Sequence, residues 1–184
     1  MWSDPLPEPW QSFLTDLDRE ATEPIALTCI GGFAVSLYYG LTRPTGDIDV
    51  VDVLPNTRKS WLAKTAGEGS SLHRRHKVHV QIVGVATLPY NYEERVAQLS
   101  TQFTQLRLFV LDPYDLALSK LTRNLDVDFD DVKYLAQAQT LDLDLLDARY
   151  HEELRPYAIG PPERHDLTMR LWLEAIREIR DKNA

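Results

Sequence analysis

Apolar residues along the chain recur at two spacings, one typical of helices and one typical of strands. Near the N-terminus, Trp10, Phe13, Leu14 and Leu17 are spaced as on one face of a helix. Four later apolar segments are rich in strand-forming residues and end at glycine, proline or polar residues, which is typical of strands. They are residues 25–30, 47–55, 77–88 and 106–111.

The segments between these strands have the pattern of helices. We expect helices over residues 33–39 and 90–99, and another from Asn56, a plausible N-cap, through Leu62. Asp112 followed by Pro113 is typical of a helix start, and the pattern after it stays helical except at residues 160–162.

This order of elements predicts an α/β (α+β) fold, in which a small mixed sheet is flanked by helices and followed by a helical C-terminal part. The predicted division is a core with its N-terminal helix over residues 1–112 and a helical part over residues 113–184.

Composition and charge argue against some classes of protein. The chain has 184 residues and a net charge of −8, which argues against non-specific binding to nucleic acid. The basic run at residues 73–77 is predicted to be a solvated loop. An acidic N-terminal segment, a single cysteine (Cys29) and the lack of any long apolar run predict a cytoplasmic protein without a membrane span.

Two aspartates open the second predicted strand. Asp47 and Asp49 are two residues apart, so their carboxylates point to the same face of a strand. Like charges at this distance repel each other unless a cation lies between them, and Mg²⁺ is typically held by one or two carboxylates together with substrate phosphates. The alternative is a solvated acidic strand end.

Two adjacent glycines, Gly31 and Gly32, close the first predicted strand. Glycine allows a ligand to approach the backbone closely, and the amides at the start of a following helix favour an anion. The alternative is a tight turn that needs a positive φ, and one turn can satisfy both descriptions.

The segment "GGFAVSLYYGLTRPTGDID" resembles the nucleotidyltransferase superfamily with the polymerase-β-like core. It is most similar to the AbiEii-type and minimal nucleotidyltransferases of bacterial toxin–antitoxin and defence loci. Arg43, Thr45, Asp47 and Asp49 match that group's motif. The resemblance implies that Asp47 and Asp49 are catalytic and hold Mg²⁺, and that Gly31, Gly32, Arg43 and Thr45 bind the nucleotide.

A second block, "DPYDLALSKLTRNLDVDFDDVKYL", resembles another conserved block of this group through Lys120, Arg123, Asp128 and Asp131. Both cations are expected on the first C-terminal helix. The resemblance implies that Lys120 is a catalytic cation for phosphate and that Arg123 contributes to nucleotide binding. The alternative is that the two cations pair with Asp126, Asp128 or Asp131 on the helix surface.

One position departs from the superfamily. The usual third carboxylate lies on the following strand, where this chain has Gln81, and glutamine is neither a general base nor a strong Mg²⁺ ligand. His79 could replace it as a base, or be structural. A zinc site built from His73, His76 and His79 is disfavoured, because no cysteine or carboxylate lies between them.

The resemblance implies an Mg²⁺-dependent transfer of a nucleoside monophosphate from an NTP to an RNA, protein or small-molecule acceptor. A protein partner encoded by an adjacent gene is part of that expectation. The alternatives are a catalytically silent nucleotide- or partner-binding module and an aminoglycoside-modifying transferase. The missing acid disfavours the last, although a net charge of −8 would suit a cationic drug.

Overall fold

Five short strands and eight α-helices make up the part of the chain that the computed structural model describes, residues 6–183. The strands are β1 (Ile25–Ile30), β2 (Asp47–Leu54), β3 (His79–Ile82), β4 (Ala97–Gln98) and β5 (Leu106–Val110). The helices are α1 (Trp10–Glu20), α2 (Gly31–Phe33), α3 (Lys59–Ala66), α4 (Ser71–His76), α5 (Pro113–Leu121), α6 (Asp126–Ala138), α7 (Leu143–Arg149) and α8 (Pro162–Asn183).

The strands form one mixed sheet in the order β3-β2-β1-β5-β4. β1 is antiparallel to β2 and parallel to β5, while β2 is parallel to β3 and β4 is antiparallel to β5. A mixed sheet with flanking helices and a helical C-terminal part confirms the predicted α/β (α+β) class.

The two faces of the sheet differ in burial. One face carries the core side chains of its three longest strands, all of them buried: Ile25, Leu27 and Cys29 of β1, Ile48, Val50 and Val53 of β2, and Leu106, Leu108 and Val110 of β5. At the β3 edge of the sheet, α3 and α4 contact this strand, and α1 contacts both of these helices. The other face carries the polar and charged side chains of the same strands, among them Asp47, Asp49 and Arg107.

At the two edges of the sheet the structure differs from two of the predicted elements. The predicted strand at 77–88 is only four residues long, because β3 pairs with β2 only as far as Val50 opposite Ile82. The predicted helix at 90–99 is wrong. It is instead a 3₁₀ turn (Tyr92–Arg95) followed by β4, since pairing with β5 overrides the local helical pattern.

The remaining helix predictions are right in place but differ in detail. The segment after Gly31-Gly32 is one turn of α-helix followed by a π-helix (Ala34–Tyr38). Asn56 is not an N-cap but begins a 3₁₀ turn (Asn56–Arg58) before α3. The basic run at 73–77 lies largely in α4 rather than in a loop, because the Ser70 hydroxyl accepts a hydrogen bond from the His73 amide and caps that helix.

The chain divides into two compact units. The first comprises the residues up to Val85 together with Val96–Leu111, and the second comprises Ala86–Arg95 and the chain from Asp112 onward. Asp112 caps α5 by accepting a hydrogen bond from the Asp115 amide, with Pro113 at the first helical position, as predicted. No helix in the described part of the chain has the length and apolar character that crossing a membrane requires.

Candidate active site

The two aspartates of β2 lie on the less buried face of the sheet. Asp47 and Asp49 are half-buried, while Ile48 and Val50 between and after them point into the core. In the parallel pairing with β3, Asp47 is opposite His79 and Asp49 is opposite Gln81. The four side chains therefore share one face, and the position beside Asp49 is occupied by an amide rather than a carboxylate.

The glycine turn after β1 lies directly against this face. Gly31 has φ +68°, a conformation that favours glycine, and a Cβ added to it would lie 2.2 Å from Oδ2 of Asp49. The side chain of Asp49 thus occupies the space that any other residue at position 31 would fill. The positive φ of the alternative interpretation is therefore present at Gly31, while close approach of a ligand to this turn stays a prediction.

The loop before β2 brings two further predicted residues to the same turn. A Cβ added to Gly32 would lie 3.3 Å from both Nη2 of Arg43 and Oγ1 of Thr45. Thr45 Oγ1 lies 3.2 Å from Oδ1 of Asp47, to which it donates, and the Ser36 hydroxyl donates to the Arg43 carbonyl at 3.0 Å. Gly31, Gly32, Arg43, Thr45, Asp47 and Asp49 therefore form one cluster, which we call the β2 cluster.

A divalent cation fits the donors of this cluster. Asp47 and Asp49 are two carboxylates on one strand face, and the glycine turn keeps bulk away from Asp49. Mg²⁺ needs no more protein ligands than these when phosphates and water complete its shell. Within the described residues, no group of three or more His, Cys, Asp and Glu side chains is arranged to hold a metal ion.

Cys29 lies under the cluster and has no part in such a site. Its side chain is fully buried, and this burial raises the pKa of the thiol far above its usual range, with the negative charge of Asp49 adding to the effect. The thiol therefore stays protonated and acts as a small apolar core residue.

A family comparison agrees with this geometry. The family described as "Nucleotidyltransferase of unknown function (DUF6036)" matches residues 12–180. The chain belongs to this family. Membership supports a nucleotidyltransferase function in general terms and implies a nucleotide as substrate. No curated protein gives a significant match, and no solved structure does so either.

Lys120, the predicted phosphate-binding cation, lies in the second unit and is buried. Its ammonium is 2.7 Å from Oδ2 of Asp131 and 3.5 Å from Oδ1 of Asp128, and both carboxylates are buried as well. The ion pairs between Lys120 and nearby aspartates, which were the alternative to phosphate binding, are thus present within the second unit. They lie inside the helical part, however, and not on a solvated helix surface.

Arg123 was expected on the same helix as Lys120, and this is wrong because α5 ends at Leu121. Arg123 lies in the turn before α6, where Nε donates to Asp128 Oδ2 at 2.8 Å. Burial raises the pKa of Asp128, but hydrogen bonds from Arg123 and the Leu125 amide, with the charge of Lys120, outweigh it, so the pKa is lowered.

The histidines near β3 have separate contacts. His76 Nε2 is 2.9 Å from Asp16 Oδ2, and His73 Nδ1 accepts a hydrogen bond from the Gly69 amide at 2.8 Å. The ring of His73 packs on that of His79, with centroids 4.8 Å apart. His79 therefore remains beside Asp47 with a neighbour that restricts its ring.

Sequence reasoning missed one acidic residue on the face of the β2 cluster. Asp52 is half-buried on β2, whereas the neighbouring Val53 is fully buried. The signal was the pair Val50-Val51, which interrupts the strict alternation of Asp47 to Val50 and is typical of a β-bulge.

Replacing Gly31 with alanine should lower the free energy of unfolding by about 1–3 kcal/mol, because the positive φ is strained for alanine and its Cβ would displace Asp49. Gly46→Ala is the matched control, since a Cβ at Gly46 meets nothing within 4 Å. Urea unfolding of both variants measures the difference. Equal stability of the two variants would contradict the close packing of Asp49 against the turn.

Proposed function

We propose that this chain is an Mg²⁺-dependent nucleotidyltransferase that transfers a nucleoside monophosphate from an NTP to an acceptor hydroxyl or phosphate. The observation that carries the proposal is the close contact between Gly31 and Asp49, which brings the glycine turn and the carboxylates of β2 together on one sheet face. Family membership supports the same class of reaction.

In this proposal Asp47 and Asp49 hold Mg²⁺, and the Gly31-Gly32 turn beside them binds the phosphates. The bound ion supplies positive charge that neutralises the phosphate oxygens during transfer. Thr45 holds Asp47 in place through its hydroxyl. Arg43, whose Nη2 lies beside Gly32, contributes a planar guanidinium suited to phosphate oxygens.

The roles of Lys120 and Arg123 remain predictions. The 2.7 Å contact between Lys120 and Asp131 supports a structural contribution, and a phosphate role would require the ammonium to serve the carboxylates and the nucleotide together. Arg123 is 54% exposed, so its guanidinium reaches solvent although it also contacts Asp128.

The biological setting that we propose is the one implied by the resemblance to AbiEii-type proteins, a toxin–antitoxin or phage-defence pair with a partner encoded by an adjacent gene. The second candidate function is a catalytically silent nucleotide-binding module. The specific observation in its favour is Gln81, which lies opposite Asp49 where the superfamily carries a carboxylate.

Asp49→Asn tests the metal site, because it keeps the shape of the side chain and removes its charge. Thermal unfolding with ATP, GTP, CTP or UTP, each with and without Mg²⁺, measures the linkage between the metal and the nucleotide. In the wild type Mg²⁺ should increase stabilisation by at least one NTP, and the variant should lose about 1–3 kcal/mol of this increase.

The control is Asp130→Asn, which makes the same change at an exposed carboxylate. The Asp130 side chain is 69% accessible and contacts Lys133. This variant should keep the full effect of Mg²⁺. Nucleotide binding that is indifferent to Mg²⁺ and equal in wild type and Asp49→Asn would overturn the metal site. Binding without transfer of label from an α-labelled NTP to RNA, protein or small-molecule acceptors would favour the silent module.

A further inference from the structure

A β-bulge in β2 changes which residues of this strand face the β2 cluster. In the pairing with β1, Thr28 is opposite Asp52, Cys29 is opposite Val50, and Ile30 is opposite Asp49. Val51 is thus the extra residue. In such a bulge two residues of one strand oppose a single residue of its partner, so the alternation of faces shifts by one position.

Burial confirms this shift. Val50 and Val53 are both fully buried although they are three residues apart, which a regular strand would not allow. Asp49 and Asp52 are both half-buried and lie on the opposite face. Their partners on β1 are two residues apart, about 7 Å along a strand, so the backbones of Asp49 and Asp52 are separated by about the same distance.

From this geometry we propose that Asp52 accepts the proton of the attacking acceptor hydroxyl, the task for which the chain has no carboxylate at position 81. The inference rests on the proposed nucleotidyl transfer. Along this face of β2 the order is Asp47, Asp49, Asp52, so Asp52 follows the two aspartates assigned to Mg²⁺ and lies next to Asp49. An acceptor bound there reaches the α-phosphate from beyond Asp49.

The step balances without a further reactant. The acceptor oxygen forms a bond to the α-phosphorus, and its proton moves to a carboxylate oxygen of Asp52. The bond between the α-phosphorus and the oxygen bridging to the β-phosphate breaks, and pyrophosphate leaves with that electron pair. Asp52 then releases the proton to solvent, since its side chain is only half-buried.

The other candidates for this role have different geometry. Gln81 lies beside Asp49 but has no basic atom. His79 lies beside Asp47, at the other end of the aspartate row, and its ring packs on His73.

The test compares Asp52→Asn, Asp52→Glu and Asp52→Ala with the wild type. Pyrophosphate release and transfer from α-labelled NTP are measured with bulk RNA, a protein mixture and glycerol as acceptors, and thermal unfolding with NTP and Mg²⁺ reports binding. We expect Asp52→Asn to lower transfer about 10²–10⁴-fold while keeping the Mg²⁺-dependent stabilisation. Asp52→Glu should keep part of the transfer, and added formate should raise that of Asp52→Ala, because a free carboxylate can replace the missing base.

Asp130→Asn, which removes the same charge at an exposed site, should transfer at the wild-type rate. Transfer by Asp52→Asn within threefold of the wild type overturns the inference, as does a parallel loss of Mg²⁺-dependent stabilisation in all three variants. A wild type that is not stabilised by NTP and Mg²⁺ overturns the proposed function itself. A wild type that is stabilised but transfers to no acceptor leaves nucleotide binding standing and overturns the role of Asp52.

Discussion

Replacing Lys120 with methionine should lower the free energy of unfolding by about 3–5 kcal/mol. The Lys120 side chain is 2% exposed and contacts Asp128 and Asp131, which are themselves buried, so methionine would remove the cation that these two buried carboxylates share. Methionine keeps most of the volume of lysine, and the loss is therefore electrostatic rather than a cavity. Urea unfolding at pH 7 measures the effect.

Lys133→Met is the matched control. Lys133 contacts Asp130 at 2.7 Å, the same distance as that between Lys120 and Asp131, but both of its groups are accessible to solvent. Solvent screening reduces the value of such a pair to about 0–1 kcal/mol. A similar loss in both variants would contradict the conclusion that burial makes the Lys120 contacts important.

The same variant tests the role of Lys120 in phosphate binding. If Lys120 also contacts the nucleotide, the folded variant should require more NTP for half-maximal thermal stabilisation in the presence of Mg²⁺. If it serves only Asp128 and Asp131, the concentration dependence should stay as in the wild type although the variant is less stable. Measuring the stability of the variant and its affinity for NTP thus distinguishes a structural Lys120 from one that also binds the nucleotide.

The sequence was most informative where local pattern and tertiary packing agree. β1 was predicted to the residue, because its apolar run is closed by glycines that the turn requires. The start of β2 was equally clear, since Asp47 and Asp49 alternate with buried residues. This is also the segment where close approach of Gly31 to Asp49 brings the predicted residues together.

The sequence was least informative where a distant contact decides the structure. The end of β3 depends on how far this strand pairs with β2, and the segment Tyr92–Arg95 depends on the contacts of Arg95 with Asp115 and Glu153. Lys120 was ambiguous for the same reason. In the sequence, a lysine on a helix beside several aspartates is equally consistent with a surface ion pair and with a contact to a ligand. Only the packing of α5 against α6 shows that the pair of Lys120 and Asp131 is buried.

The second large effect is expected for Arg95→Met, which should lower the free energy of unfolding by about 3–5 kcal/mol at pH 7. Arg95 joins the segment Ala86–Arg95 to the rest of the second unit. Its Nε and Nη2 donate to the two carboxylate oxygens of Asp115 at 2.8 and 3.0 Å, and Nη2 also donates to Glu153. Asp115 is fully buried, so the loss of this bidentate contact leaves a desolvated charge that Arg149 compensates only through a 3.3 Å contact.

The pH dependence of this variant gives a second, independent check. Burial raises the pKa of Asp115 above its usual range even with Arg95 in place, and removing Arg95 should raise it further. A carboxyl group whose pKa is higher in the folded than in the unfolded protein favours folding at low pH, and this contribution is lost as the pH rises through the folded pKa. The deficit of Arg95→Met relative to the wild type should therefore shrink as the pH is lowered from 7 toward 5.

Arg155→Met is the control for this pH effect. Arg155 also makes a bidentate contact, with Asp166, but both groups are partly exposed, and its hydrogen bonds are the main reason that the pKa of Asp166 is lowered. Asp166 thus stays ionised between pH 7 and 5, and the smaller deficit of Arg155→Met should not change over that range. If the deficit of Arg95→Met is also constant between pH 7 and 5, Asp115 stays ionised without Arg95. The free-energy cost of burying an ionised Asp115 would then be smaller than expected for a fully buried carboxylate.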